Sequence, residues 1–187
     1  MLATTGHDSI GSHTAETLRE SHDDSWKTVE VLEQLLADSI RLRDLYRNAR
    51  WKTAGMQYRR LRQLFDDHYK EQVRLVDVLI ERIRALDRGG RVFAGDFLHA
   101  AQFSQMLHGR ASITCLLGEL LDAHEMVLSV TLPAGTNAAQ VDRAWMRDFA
   151  VGQVVLTNDQ QILAIGEQRK FRERMLQTHA TWVSEIE

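Results

Sequence analysis

The chain has 187 residues, 44% of them hydrophobic and 26% charged, with a formal net charge of −3. That is enough chain for one domain with a real core, and the acidic balance excludes a protein that holds nucleic acid by overall charge. One proline, Pro133, among long runs rich in Leu, Arg, Glu, Gln and Ala points to an all-α fold. The single cysteine, Cys115, lies within ITCLLGELL; it excludes an intrachain disulfide framework and reads as a small buried hydrophobe. No run of about 18 apolar residues is present to cross a membrane, and no basic–apolar leader opens the chain. A cytoplasmic location is expected.

Residues 1–20 read as a flexible N-terminal tail ahead of a domain over 21–187. Across residues 1–24, Asp8, Glu16, Glu20, Asp23 and Asp24 stand against a lone Arg19, with His7, His13 and His22 between them. A segment meant to grip phosphates needs lysines and arginines, because counterion release supplies most non-specific affinity. This one argues against DNA binding, and its histidines have no tight metal spacing.

The first helix carries apolar residues at Trp26, Val29, Leu32, Leu35, Leu36, Ile40, Leu45 and Tyr46, in steps of three and four. Ser21 reads as its N-cap with Asp24 in the first turn, or the helix starts earlier, near Thr14. Gly55 interrupts the pattern. A second stripe runs through Tyr58, Leu61, Leu64, Phe65, Val73, Val76, Leu79, Ile80, Ile83 and Leu86, until the glycines of RGG at 88–90 stop it. Each helix is about 30 residues, or about 45 Å, which suits a long bundle. Residues 91–104 predict a connector with a short packed helix. The third stripe covers Met106, Leu107, Ile113, Leu116, Leu117, Leu120, Leu121, Met126 and Val127 and ends at TLPAGT. An extra segment, 137–156, reads as a short helix followed by an apolar, strand-like piece. The fourth helix runs from about Asn158 to Trp182, capped by Thr157 or Asn158. Two helical hairpins joined by one long crossing connector, with an extra segment before the last helix, is the layout of a ferritin-like four-helix bundle with one crossover.

Common catalytic motifs are absent: no Walker loop, no dinucleotide fingerprint, no paired CxxC, no HExxH. The Glu-x-x-His pair of di-iron bundles is missing too. His13–Glu16 and His68–Glu71 reverse that order, Asp96–His99 repeats the spacing with a carboxylate first, and each reads as a surface pair. On the second helix Asp77 and Glu81 are four apart and share a face, with Asp66 three turns earlier. Amid Arg74, Arg82 and Arg84, such acids taken alone read as a salt-bridged surface.

The stretch from Tyr46 to Gly90 resembles the Dps family, mini-ferritins named as DNA-binding proteins from starved cells. Its Trp is Trp51, its glycine Gly55, its aromatic Tyr58 and its first acid Asp66; DVLIER supplies Asp77, Glu81 and Arg82, and Gly89–Gly90 closes the helix. The resemblance implies a homo-oligomer, a dodecamer built from two-fold dimers, with iron bound across the dimer interface by Asp66, Asp77 and Glu81. Trp51 and Gly55 would be structural. The two family histidine positions, however, hold Arg50 and Arg62. Arginine has no lone pair to offer and stays protonated, so it cannot be a ligand.

The chemistry then favours an intersubunit salt bridge in which Arg50 and Arg62 meet Asp77 and Glu81 of the partner subunit. The expected protein is a Dps-like cage of iron homeostasis and stress protection with a degenerate ferroxidase centre. Two alternatives stand beside it. One is an active iron-oxidising and iron-storing mini-ferritin using the remaining carboxylates, although oxygen ligands alone hold ferrous iron weakly. The other is a helical interaction protein without metal.

Overall fold

The computed structural model describes residues 9–53, 55–86, 112–137 and 143–184. Helix α1 spans Ser9–Lys52, a short 3-10 turn Met56–Tyr58 follows, and α2 spans Arg59–Leu86. Helix α3 spans Ile113–Asn137, α4 Arg143–Phe149 and α5 Leu156–Ser184, with a π-helical segment, Ala150–Val155, leading from α4 into α5. The long helices α1, α2, α3 and α5 form the four-helix bundle, and no strand occurs among the described residues. None of these helices is long and apolar enough to cross a membrane. The expected connector helix at 91–104 and the start of the third stripe at Met106 and Leu107 lie outside the described residues.

The corner between α1 and α2 is built by local chemistry. Arg50 and Lys52 occupy the last turn of α1, where cations complement the negative end of the helix dipole. Thr53 closes that turn: its N–H donates to the Ala49 carbonyl at 3.1 Å, and its hydroxyl reaches the carbonyls of Ala49 and Arg50 at 2.9 and 3.1 Å. Gly55 then turns the chain at φ +117, a conformation that side chains rarely adopt. The Tyr58 N–H returns to the Gly55 carbonyl at 3.1 Å.

At about 100° per residue, Leu61, Phe65, Leu75, Val76, Leu79 and Ile83 of α2 fall on one arc and are buried. Opposite them pack Leu32, Leu35, Leu36, Leu42 and Tyr46 of α1, with Leu116, Leu117, Leu120 and Val127 of α3. Fully burying each such aliphatic side chain is worth roughly 1.5–3 kcal/mol, so this seam is the main source of stability. Polar residues share it: His68, Gln72, His124, Asn158 and Gln161 are all buried.

Five sequence expectations need correction. Helix α1 is already formed at Ser9, ahead of both Ser21 and Thr14. Helix α3 does not stop at TLPAGT but carries Pro133 to its end at Asn137; it is capped by Ser112, whose Oγ accepts the Cys115 N–H at 3.2 Å. Cys115 itself is exposed, because an apolar run longer than the core-facing arc must turn some residues outward. The strand-like piece is helical. Its β-branched valines suggested a strand, yet they lie in a π turn that brings Val154 into the core, and Asn158 is therefore interior to a continuous helical path instead of capping one. That extra segment adds to the bundle: Met146 and Phe149 are buried, Trp145 stacks on Phe149 at 4.8 Å, and the Arg82 guanidinium lies 4.5 Å from the Trp145 ring centroid.

Candidate functional site

On α2, Arg62, Asp66, Lys70, Asp77 and Glu81 fall within an arc of roughly 100°, opposite the buried arc. Arg62, Asp77 and Glu81 are exposed and Asp66 is half-buried. The stripe therefore faces away from the chain's own core and is open to another molecule.

Asp66 is not free. Arg50 Nη1 pairs with its Oδ1, and Lys70 Nζ sits 2.6 Å from its Oδ2. The bond from Lys70, then that from Arg50, holds the Asp66 carboxyl below the usual carboxylate range, and Asp66 in turn raises the Lys70 ammonium. Sixteen residues separate Arg50 from Asp66, and the tight corner at Gly55 is what brings them together. Arg50 also lies 5.8 Å from the Tyr69 ring centroid. Trp51 is 60% exposed beside it, with the Arg47 guanidinium 5.6 Å from its ring, and Met56 at the same corner is 93% exposed.

The His68–Glu71 pair is not a surface pair. His68 is buried on the opposite side of α2 and bonds to Tyr46, while Glu71 accepts from Gln161 Nε2 at 2.7 Å. Neither joins Asp77 and Glu81. Among the described residues, no three His, Cys, Asp or Glu side chains converge to hold a metal ion. Iron would be this site's substrate, and within one chain the donors do not fit it: both Asp66 oxygens are held by cations, and Arg50 and Arg62 offer no lone pair.

The polar residues of the core escaped the sequence reading. Their signal was present, because His68 and Gln72 interrupt the apolar arc of α2 and His124 interrupts that of α3. Their partners come from other helices, which periodicity does not identify.

Residues 29–129 match the Ferritin family, a ferritin-like domain. An uncharacterized protein from the bpoA2 5' region of Kitasatospora aureofaciens is 36% identical over 133 residues, 70% of this chain and 87% of that protein. An uncharacterized low temperature-induced protein of Nostoc is 30% identical over 102 residues, 54% of this chain and 56% of that protein. Among solved structures, DpsC from Streptomyces coelicolor matches with a TM-score of 0.69 at 30% identity, over 78% of this chain and 85% of that one. Dps from Thermosynechococcus elongatus matches at 0.68 and 20% identity, over 79% and 93%, a likeness of fold.

Proposed function

The chain belongs to the Dps family of ferritin-like proteins, and from that premise we propose a cytoplasmic, cage-forming protein of iron homeostasis and stress protection whose intersubunit ferroxidase centre is degenerate. The observation that carries this reading is the Arg50–Asp66 ion pair. A cation stands at a family ligand position and occupies the first family acid.

Arg62 supports the same reading. The first turn of α2 holds Arg59 and Arg60 beside it and no acid, at the end of the helix where the dipole is positive. Among the described residues such a cluster has no ion-pair partner, and in a two-fold dimer Asp77 and Glu81 of the partner subunit supply one. A pair of this kind specifies assembly more than it drives it: keeping it gains little, whereas losing one member of a buried pair costs about 3–5 kcal/mol. Exposed apolar side chains point to assembly as well. Beyond Ile165, α5 leaves Phe171, Met175 and Leu176 at 54%, 58% and 63% exposure, and Trp51 and Met56 stand out at the corner. A dodecamer built from two-fold dimers covers such surfaces. The stress role is supported by the low temperature-induced relative, and the acidic residues near the N-terminus argue against tight DNA binding.

The test is the assembly state of Arg50→Ala and Arg62→Ala, measured by light scattering after size exclusion. Both are expected to fall to smaller species at physiological salt. Parent-sized cages from both variants would rule out the salt-bridge cluster as an assembly element.

A further inference from the structure

Side chains from all four bundle helices form one hydrogen-bonded chain in the core. Oη of Tyr46 on α1 lies 2.6 Å from Nε2 of His124 on α3 and 3.1 Å from Nδ1 of His68 on α2. Nδ1 of His124 lies 2.6 Å from Oδ1 of Asn158 on α5, and Asn158 Nδ2 donates to the Val154 carbonyl at 2.7 Å. Tyr46, His124 and Asn158 are completely buried.

The far end of this chain fixes its hydrogens. The Val154 carbonyl only accepts, so Asn158 must turn its NH2 toward it and its Oδ1 toward His124. Oδ1 also only accepts, so the hydrogen of the neutral His124 ring is on Nδ1. Nε2 therefore carries a lone pair, and the Tyr46 hydroxyl donates into it. With that hydrogen committed, His68 Nδ1 is the donor to Tyr46 Oη. Each link has one direction.

A proton added to His124 disturbs a single link. Nε2 becomes an N–H facing the Tyr46 O–H, and Tyr46 can turn its hydrogen to His68 only if that ring first moves its own hydrogen from Nδ1 to Nε2. The Nδ1–H bond to Asn158 survives and strengthens, because a charged donor makes the stronger bond. We propose that His124 is an acid-labile latch of the bundle: its protonation releases α3 from α1 while α3 stays tied to α5.

The surroundings leave an imidazolium there uncompensated. Helix α1 contributes Tyr46; α2 contributes His68, with the Glu71 carboxylate acting on it; and α5 contributes the uncharged Asn158 and Gln161. The π segment contributes the Val154 carbonyl, and α4 presents the apolar Met146 and Phe149 to the core. Burial is the main force holding the His124 ring down at about 4; the Asn158 bond opposes it and His68 adds to it.

Histidine side-chain NMR and amide hydrogen exchange on the full-chain assembly test this. His124 should be the Nδ1–H tautomer at neutral pH, with a proton affinity at least tenfold below that of an ordinary histidine. As it titrates, exchange should speed at least tenfold in α1 around Tyr46, while the α3 and α5 turns holding His124 and Asn158 stay protected. His124→Gln keeps an acceptor for Tyr46 and cannot charge, so it should lack this step. An Nε2–H tautomer, an ordinary titration, exchange rising first in α5, or the same step in His124→Gln would overturn the proposal. Should His124→Gln fail to fold, the tautomer and the order of exchange in the unaltered chain decide the matter.

Discussion

Tyr46→Phe removes one oxygen from the core and keeps the ring. Two buried groups then lose their partner: Nε2 of His124, which accepts, and Nδ1 of His68, which donates. Leaving a buried polar group unsatisfied costs about 1–3 kcal/mol, so the pair should cost about 2–6 kcal/mol. The packing itself hardly changes, because the contacts of the Tyr46 ring with Phe65 and the two imidazoles need only the ring. Against a typical domain stability of about 5–15 kcal/mol, this is a large loss from one atom. Urea unfolding at neutral pH and fixed protomer concentration reads it as a lower midpoint with an unchanged slope. A loss below about 1 kcal/mol would show that the Tyr46 hydroxyl is not the donor and acceptor described, and would remove the basis of the latch.

Acid should destabilise the protein through His124. Its folded value of about 4 lies below the ordinary 6.5, so its contribution is present above pH 6.5 and is lost as pH falls through about 4. The loss totals about 3 kcal/mol and should be missing from the urea titration of His124→Gln. Gly55→Ala has room for the added carbon, since the nearest atoms are those of Gln57 at 4.0 Å, but not the backbone freedom. The strain at φ +117 should cost about 1–3 kcal/mol in the same unfolding assay. Replacing Arg50 and Arg62 together by histidine restores lone pairs at both family positions and frees Asp66 from its guanidinium partner. That double variant should gain ferrous-oxidation activity over its parent in an aerobic stopped-flow assay.

The bundle was legible because α1, α2 and α3 write their buried faces in steps of three and four, and the corner was legible because only glycine suits its backbone. Residues 150–158 misled for a physical reason. Val151, Val154 and Val155 favour strands by side-chain shape, yet a π turn joined to α5 accommodates them, and Asn158 follows Val154 by one turn so that it reaches that carbonyl and His124 together. The exposed stripe was readable as spacing along α2, and Arg50 as a cation at a family position. Its partner within the chain was not readable, because Asp66 and Asp77 share a helix face and only the geometry of the hairpin selects the nearer acid. The core chain through Tyr46, His68 and His124 was the least visible part. Each residue sits on a different helix, so sequence shows each as an isolated polar interruption.

The central claim is a Dps-family cage whose usual iron site is filled by positive charge. Aerobic oxidation of ferrous iron, followed on an assembly of verified mass, tests it most directly. Oxidation should run at the protein-free rate, with less than one tightly bound iron per dimer interface. Oxidation accelerated by the protein, and slowed by Asp77→Ala or Glu81→Ala, would contradict it and identify an active ferroxidase built on the exposed carboxylates.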